Sequence, residues 1–310
     1  MLEMNKMQQR LLHPSKATRQ DRFGKTISLI CIGFIMILTV SIIGFIAIHG
    51  LATFFENHVS VMQFIFSSNW NPGQLGKNGQ PQVGAFAMIV ASFAVTLLAA
   101  ILATPFAIAV ALYMTELAPK RGAKMLQPVI ELLVGIPSVV YGFIGLVVIV
   151  PAIRSVFGGT GFGILAGSIV LFVMILPTIT SLTIDSLQQV PDHYRKASLA
   201  LGATKWQTIY KVILRAALPG ILTAIVFGMA RAFGEALAVQ MVIGNAALTP
   251  TSLTSPTATL TSQLTSQMGD TIMGTLPNNA LWSLALVLLI MSVIFNLLIK
   301  VVGKRGEMKK

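Results

Sequence analysis

The chain has 310 residues, of which 55% are hydrophobic and only 10% charged, and its mean hydropathy is +0.79. Soluble domains carry about 25% charged residues, so this composition excludes an ordinary soluble fold and points to a bilayer. The net charge of +12 is gathered in clusters between apolar runs. Topology signals are placed that way and a nucleic-acid surface is not, so no nucleic-acid partner is expected.

The first 25 residues are polar and basic. Gly24-Lys25-Thr26 looks like the end of a phosphate-binding loop, but position 19 is Arg19 where that loop needs glycine, so no nucleotide site is read there. Residues 27–48 form the first apolar run, about 33 Å long as a helix and enough to cross a bilayer. It is longer than a signal peptide's apolar region and lacks a small-residue cut site, so a retained helix is expected.

Residues 49–83 read as a loop with turn chemistry, Asn71-Pro72-Gly73 and Gly76 to Pro81, with Trp70 suited to an interface. Residues 84–113 form a second span containing Pro105, followed by a short basic loop with Pro119, Lys120, Arg121 and Lys124. The third span is placed at 128–153 and the fourth at 161–184. Gly135, Pro137, Gly142, Gly145 and Pro151 in the third imply close helix packing, and Gly163 and Gly167 open the fourth at small-xxx-small spacing. A basic amphipathic stretch follows, then a fifth span at 217–243, a Thr/Ser-rich loop at 244–279 and a sixth span at 280–302.

Of the 22 Lys and Arg, all but Lys77, Arg154 and Arg231 fall on one side of this arrangement. The positive-inside rule then predicts six membrane-spanning helices, both termini cytoplasmic and the two long loops outside. The expected organisation is a cytoplasmic tail at 1–26, a six-helix membrane domain at 27–303 with a basic loop at about 192–216, and a short tail at 304–310.

Arg231 and Glu235 stand alone in the fifth span. Counted from Pro219, Arg231 lies about 18 Å along a helix, near mid-bilayer, where a charge costs at least ~2.5–3.5 kcal/mol and must face the bundle interior or a wet pathway. The i, i+4 spacing puts the two on one helix face, able to pair. Such a pair either locks helix packing or forms an anion pathway, the arginine fork matching phosphate-like oxygens and the glutamate weakening the hold. Glu131 and Asp185 read as interfacial carboxylates. Cys31 is the only cysteine, and His13, His49, His58 and His193 lack metal-ligand spacing. With no hydrolytic triad, carboxylate pair or metal cluster either, the chain is not expected to be an enzyme or to bind a metal or cofactor.

The basic stretch has an internal pattern: Lys196-Ala197-Ser198, three residues, Gly202, nine residues, then Val212-Ile213-Leu214-Arg215. It resembles the coupling loop of ABC-importer permeases, Glu-Ala-Ala, three residues, Gly, nine residues, Ile-x-Leu-Pro. It departs from that pattern at Lys196, Ser198 and Arg215. Gly135-Ile136-Pro137-Ser138-Val139-Val140-Tyr141-Gly142, Ala200 to Trp206, and Arg231-Ala232-Phe233-Gly234-Glu235 followed by Ala238 to Asn245 resemble the PstC-type permeases of the phosphate-specific (Pst) ABC transporters.

The resemblance covers roughly residues 70–302. It implies an all-α integral membrane chain with the type I ABC-importer permease fold, serving phosphate import with ATP hydrolysed elsewhere. It also implies a PstA-like permease partner, a pair of PstB-like ATPases and a PstS-like phosphate-binding protein. On this resemblance Arg195, Lys196, Ala197, Ser198, Gly202, Ala203, Thr204, Lys205 and Trp206 belong to the ATPase-coupling loop, with 197–207 as its helix, and Arg231 and Glu235 serve phosphate passage. The alternatives left open are a permease for molybdate, sulfate or phosphonate, a secondary transporter or channel, and a structural scaffold.

Overall fold

A computed structural model describes residues 16–76, 79 and 81–306. The basic residues before Lys16, together with Lys77, Lys309 and Lys310, lie outside the described residues. The chain divides into two compact units, Met1–His49 and Gly50–Lys310. The described part of the first is one continuous helix, the beginning of α1 (Lys16–Phe55), apolar enough to span a bilayer.

The second unit carries the remaining elements. A short α2 (Val61–Phe66) leads to an antiparallel hairpin of β1 (Trp70–Leu75) and β2 (Pro81–Val83), with Trp70 opposite Val83. The expected loop at 49–83 is therefore structured. Trp70 donates its indole N–H to Gln267 Oε1 at 3.1 Å, which ties the hairpin to the later Thr/Ser-rich segment.

The second span is α3 (Phe86–Leu112), extended by a π-helical turn at Tyr113–Leu117. The expected basic loop after it is the start of a helix, α4 (Pro119–Gly135), because Pro119 sits at the first helical position, where its missing N–H costs nothing. The third span begins later than expected, at Ser138. Ile136 and Pro137 are extended, and proline disfavours helical geometry in the residue before it. The span runs through α5 (Ser138–Ile144), a π-helical turn and α6 (Val150–Phe157).

The fourth span is α7 (Ile164–Gln188). A helical hairpin follows, α8 (Asp192–Ala200) and α9 (Lys205–Thr208), and the fifth span continues through a π-helical turn into α10 (Leu214–Phe233). Then come α11 (Leu237–Ile243), α12 (Leu260–Gln267) and the last span, α13 (Leu276–Gly306). Among the described residues, six helices are long and apolar enough to cross a membrane.

The core is built on close contact between α3 and α7. Ala99, Ala103 and Ala107 present a small-residue face to Leu171, Ile175 and Ile179, all fully or nearly fully buried. Small residues at such seams let helix backbones approach, which matters in lipid, where no hydrophobic drive separates helix from tail. Gly228 brings α10 onto α7 the same way: a Cβ there would lie 2.5 Å from Ile179. Gly142 and Gly145 are filled against Ala238 and Val242 of α11, as the glycine density of the third span predicts, whereas Gly135 faces open space.

The expected Thr/Ser-rich loop at 244–279 is instead folded into the bundle. Thr257, Thr259, Thr261, Ser262 and Gln263 are buried. Their hydroxyls make this possible by satisfying the backbone: Thr259 and Ser262 form a reciprocal capping box at the start of α12, and Ser92 of α3 accepts the Leu260 N–H at 2.9 Å.

Candidate functional site

The fifth span is broken where its charges lie. A continuous helix over 217–243 is the sequence expectation. In the structure α10 closes at Phe233, the Glu235 N–H bonds Ala232 O at 3.2 Å in a tight final turn, and α11 starts anew at Leu237. The cause is local. Gly234 is a weak helix former, and the Glu235 carboxylate takes the Ala238 N–H at 3.2 Å in place of a backbone carbonyl. Non-helical backbone at membrane depth occurs where it is buried in protein or lines a cavity.

The break separates the two charges. Arg231 and Glu235 form no ion pair; among the described residues the only salt bridges are those of Arg195. Arg231 lies in the last turn of α10, exposed on the chain's surface, where a cation is favoured by the carbonyl end of the helix. Its one hydrogen bond among the described residues runs from Nη1 to Oγ1 of Thr178 on α7. Thr178 is 14 residues past Ile164, the first residue of α7, or about 21 Å along the helix by rise, which places the pair deep in the span.

Glu235 turns the other way. It lines a small cavity with the hydroxyls of Ser92, Thr96, Thr259 and Thr261. Its own carbonyl oxygen accepts from Thr261 Oγ1 at 2.8 Å. Among the described residues the carboxylate's hydrogen bond is the one from the Ala238 N–H at the start of α11, and it makes none with Arg231.

The second candidate region is the basic hairpin. Gly202 has φ +81°, a left-handed turn that favours glycine, with nothing within 4 Å of where a Cβ would lie. Thr204 then caps α9, accepting the Gln207 N–H at 3.2 Å while Gln207 accepts the Thr204 N–H at 2.9 Å. Ser198 and Thr208 join the two helices hydroxyl to hydroxyl at 2.9 Å. The outer rim is apolar and bare: Leu201 is 89% and Trp206 62% exposed. Lys196, Ala197 and Lys205 are exposed on the same hairpin, and Ala203 is half-buried.

Arg195 points back into the structure. Nε donates to Glu116 at 3.2 Å and Nη2 to the same carboxylate at 2.5 Å. Nη1 donates to Val190 O at 2.7 Å and Asp192 Oδ1 at 3.3 Å, and Nη2 also reaches Leu187 O at 3.2 Å. One guanidinium thus joins the end of the second span, the terminal carbonyls of α7 and the start of α8. The bond to Glu116 holds Arg195 even more firmly protonated than an ordinary arginine. Glu116 has no sequence signal, because it lies 79 positions from its partner. Thr178 is missed for the same reason.

Comparison with known proteins places this geometry in a family. The model for binding-protein-dependent transport system inner membrane components matches residues 103–307. The chain is 52% identical over 285 residues to the probable ABC transporter permease protein YqgH of Bacillus subtilis, covering 92% of this chain and 91% of that one. It is 34% identical over 286 residues to a PstC phosphate transport system permease protein of Mycobacterium tuberculosis, covering 80% and 82%. With the PstC protein of Pasteurella multocida the identity is 31% over 267 residues, covering 80% and 81%.

Among solved structures, the MetNI methionine ABC transporter in an inward-facing conformation matches with a TM-score of 0.55 at 20% identity, over 71% of this chain and 94% of that one. An amino acid ABC transporter matches with a TM-score of 0.51 at 17% identity, over 70% and 92%. These likenesses concern the fold. The chain belongs to the binding-protein-dependent transport system inner membrane components, and is a multi-pass permease subunit of the cell membrane with the type I ABC-importer fold.

Proposed function

We propose that this chain forms half of the translocation pathway of an ATP-driven importer of inorganic phosphate. The observation that carries the reading is Arg231, a cation deep in the fifth span, exposed at the broken end of α10 and bonded only to a hydroxyl. A guanidinium left in that state offers a planar set of donors to a small oxyanion. The similarity to PstC phosphate permeases supports phosphate as that anion.

The face of α10 that carries Arg231 also exposes Phe227, one turn before it. This face meets a PstA-like second permease, and the anion passes between the two. The α8–α9 hairpin, with its bare Leu201 and Trp206, is the coupling element that seats in a PstB-like ATPase. A PstS-like binding protein delivers phosphate on the opposite side. Both termini lie in the cytoplasm, as the charge distribution requires. ATP-driven closure of the ATPases moves the hairpin as a lever, and the pathway alternates between outward and inward opening.

The test is uptake of radiolabelled phosphate by cells or proteoliposomes carrying the assembled complex, with unlabelled oxyanions in excess. Phosphate alone should compete. Equal competition by sulfate, molybdate or a phosphonate would assign the pathway to another oxyanion, and uptake without any ATPase would remove the chain from ATP-driven transport. For the hairpin, Gly202→Val should weaken retention of the ATPase; unchanged retention would count against docking there.

A further inference from the structure

Hydroxyl side chains in a membrane helix ordinarily give their proton to the carbonyl four residues back. α7 does this at Ser168, which donates to Ile164 O at 2.7 Å, at Thr180, to Leu176 O at 2.7 Å, and at Ser186, to Leu182 O at 2.7 Å. Thr178 does not. Its only hydrogen bond among the described residues is the one its oxygen accepts from Arg231. The hydroxyl proton is left unused, two residues from a threonine that uses its own.

This arrangement has a direction. The guanidinium fixes the Thr178 oxygen as acceptor, so the hydroxyl can turn its proton only outward from Arg231 or around it. Accepting from a cation polarises the O–H and makes it a stronger donor. Arg231 has four further N–H groups without a partner among the described residues. Two helices, α10 and α7, thus bring a set of donors and one positive charge to a single exposed place, with no carboxylate bonded to either residue.

We propose that Thr178 is a ligand of the transported oxyanion, its hydroxyl donating to one oxygen while Arg231 pairs with the others. The ligand class is a tetrahedral oxyanion with several acceptor oxygens. The inference rests on the phosphate-pathway reading and adds to it a contact on a second helix. Because the two ligands stand on different spans, movement of α10 against α7 spreads or closes the donor set. A single charge with one neutral donor also holds an anion loosely enough to let it leave.

The experiment compares Thr178→Val, which keeps the shape and removes the hydroxyl, with Thr178→Ser, which restores a hydroxyl. Uptake of labelled phosphate at limiting concentration is measured in the reconstituted complex. Thr178→Val should lower uptake by about tenfold, the loss of one hydrogen bond to a charged group, and Thr178→Ser should recover most of it. Co-purification of all subunits at normal stoichiometry checks assembly. If the valine variant does not assemble, Thr178→Ala is used in its place with the same expectation.

Uptake by Thr178→Val at the wild-type rate overturns the proposal, as does an equal loss in Thr178→Val and Thr178→Ser. Arg231→Gln run in parallel separates the two levels. If it abolishes uptake while Thr178→Val leaves uptake at the wild-type rate, the threonine contact alone is wrong. If neither affects uptake, the pathway reading falls with it.

Discussion

Arg195 and Arg231 each stand beside the end of a span-forming helix, and each was visible in the sequence as a candidate. Their surroundings differ completely. Every nitrogen of Arg195 is bonded, to Glu116, Asp192 and two helix-end carbonyls, and its side chain is 23% exposed against 10% for Glu116. Arg231 makes one bond, to a neutral hydroxyl, and lies open. A guanidinium with all its donors committed holds protein to protein. One with most of its donors free, at a depth where bare charge is costly, is kept for something that arrives. On the proposed function, the difference gives structure to the first and passage to the second.

Substitutions can break this contrast, and the largest effect belongs at Arg231. Arg231→Gln should cut phosphate uptake by about a hundredfold with the complex still assembled, the scale of losing one partner of a desolvated charge pair. Arg231→Lys keeps the charge and loses the fork, so it should fall between glutamine and wild type. Uptake unaffected by either would make Arg231 as structural as Arg195.

Arg195→Ala should act on stability. It leaves the Glu116 carboxylate and the Val190 carbonyl without their donor, at a cost of about 2–3 kcal/mol, read as a lower unfolding temperature of the purified chain or complex. Exchanging the two charges, Arg195→Glu with Glu116→Arg, should recover only part of this, because the carbonyl bonds do not return. Full recovery would mean the carbonyls contribute nothing.

Smaller effects follow at the two breaks. Gly202→Ala should cost about 1 kcal/mol, since a Cβ opposes the left-handed turn without meeting any neighbour. Glu235→Gln keeps an acceptor for the Ala238 N–H and should change stability by less than about 1 kcal/mol, whereas Glu235→Ala should cost about 1 kcal/mol by removing that acceptor.

The same two regions show how far the sequence can be read. Hydropathy exposes the six spans because each is an unbroken apolar run, and the glycine turn at Gly202 is legible because its neighbours are strong helix formers. Breaks inside apolar runs are harder to see. At Ile136–Pro137 the proline is plain, yet hydropathy carries the span straight through it. At Gly234–Ala236 the i, i+4 spacing of Arg231 and Glu235 suggests a pair, and the carboxylate's preference for the Ala238 N–H dissolves it. The buried Thr/Ser-rich segment is concealed by composition, since hydroxyls read as loop until their hydrogen bonds are known. Glu116 and Thr178 are partners by folding alone, 79 and 53 positions from the arginines they meet.

The most direct measurement is the chemical accessibility of position 231 in the assembled transporter. Cys31 is replaced by serine, Arg231→Cys is introduced, and the complex is treated with a water-soluble aminoethylating thiol reagent or with a lipid-soluble maleimide. The expected result is modification by the water-soluble reagent, with part of the phosphate uptake restored as the aminoethyl group returns a cation to the site. Modification by the lipid-soluble reagent alone would contradict it, because position 231 would then face hydrocarbon and not the path of an anion.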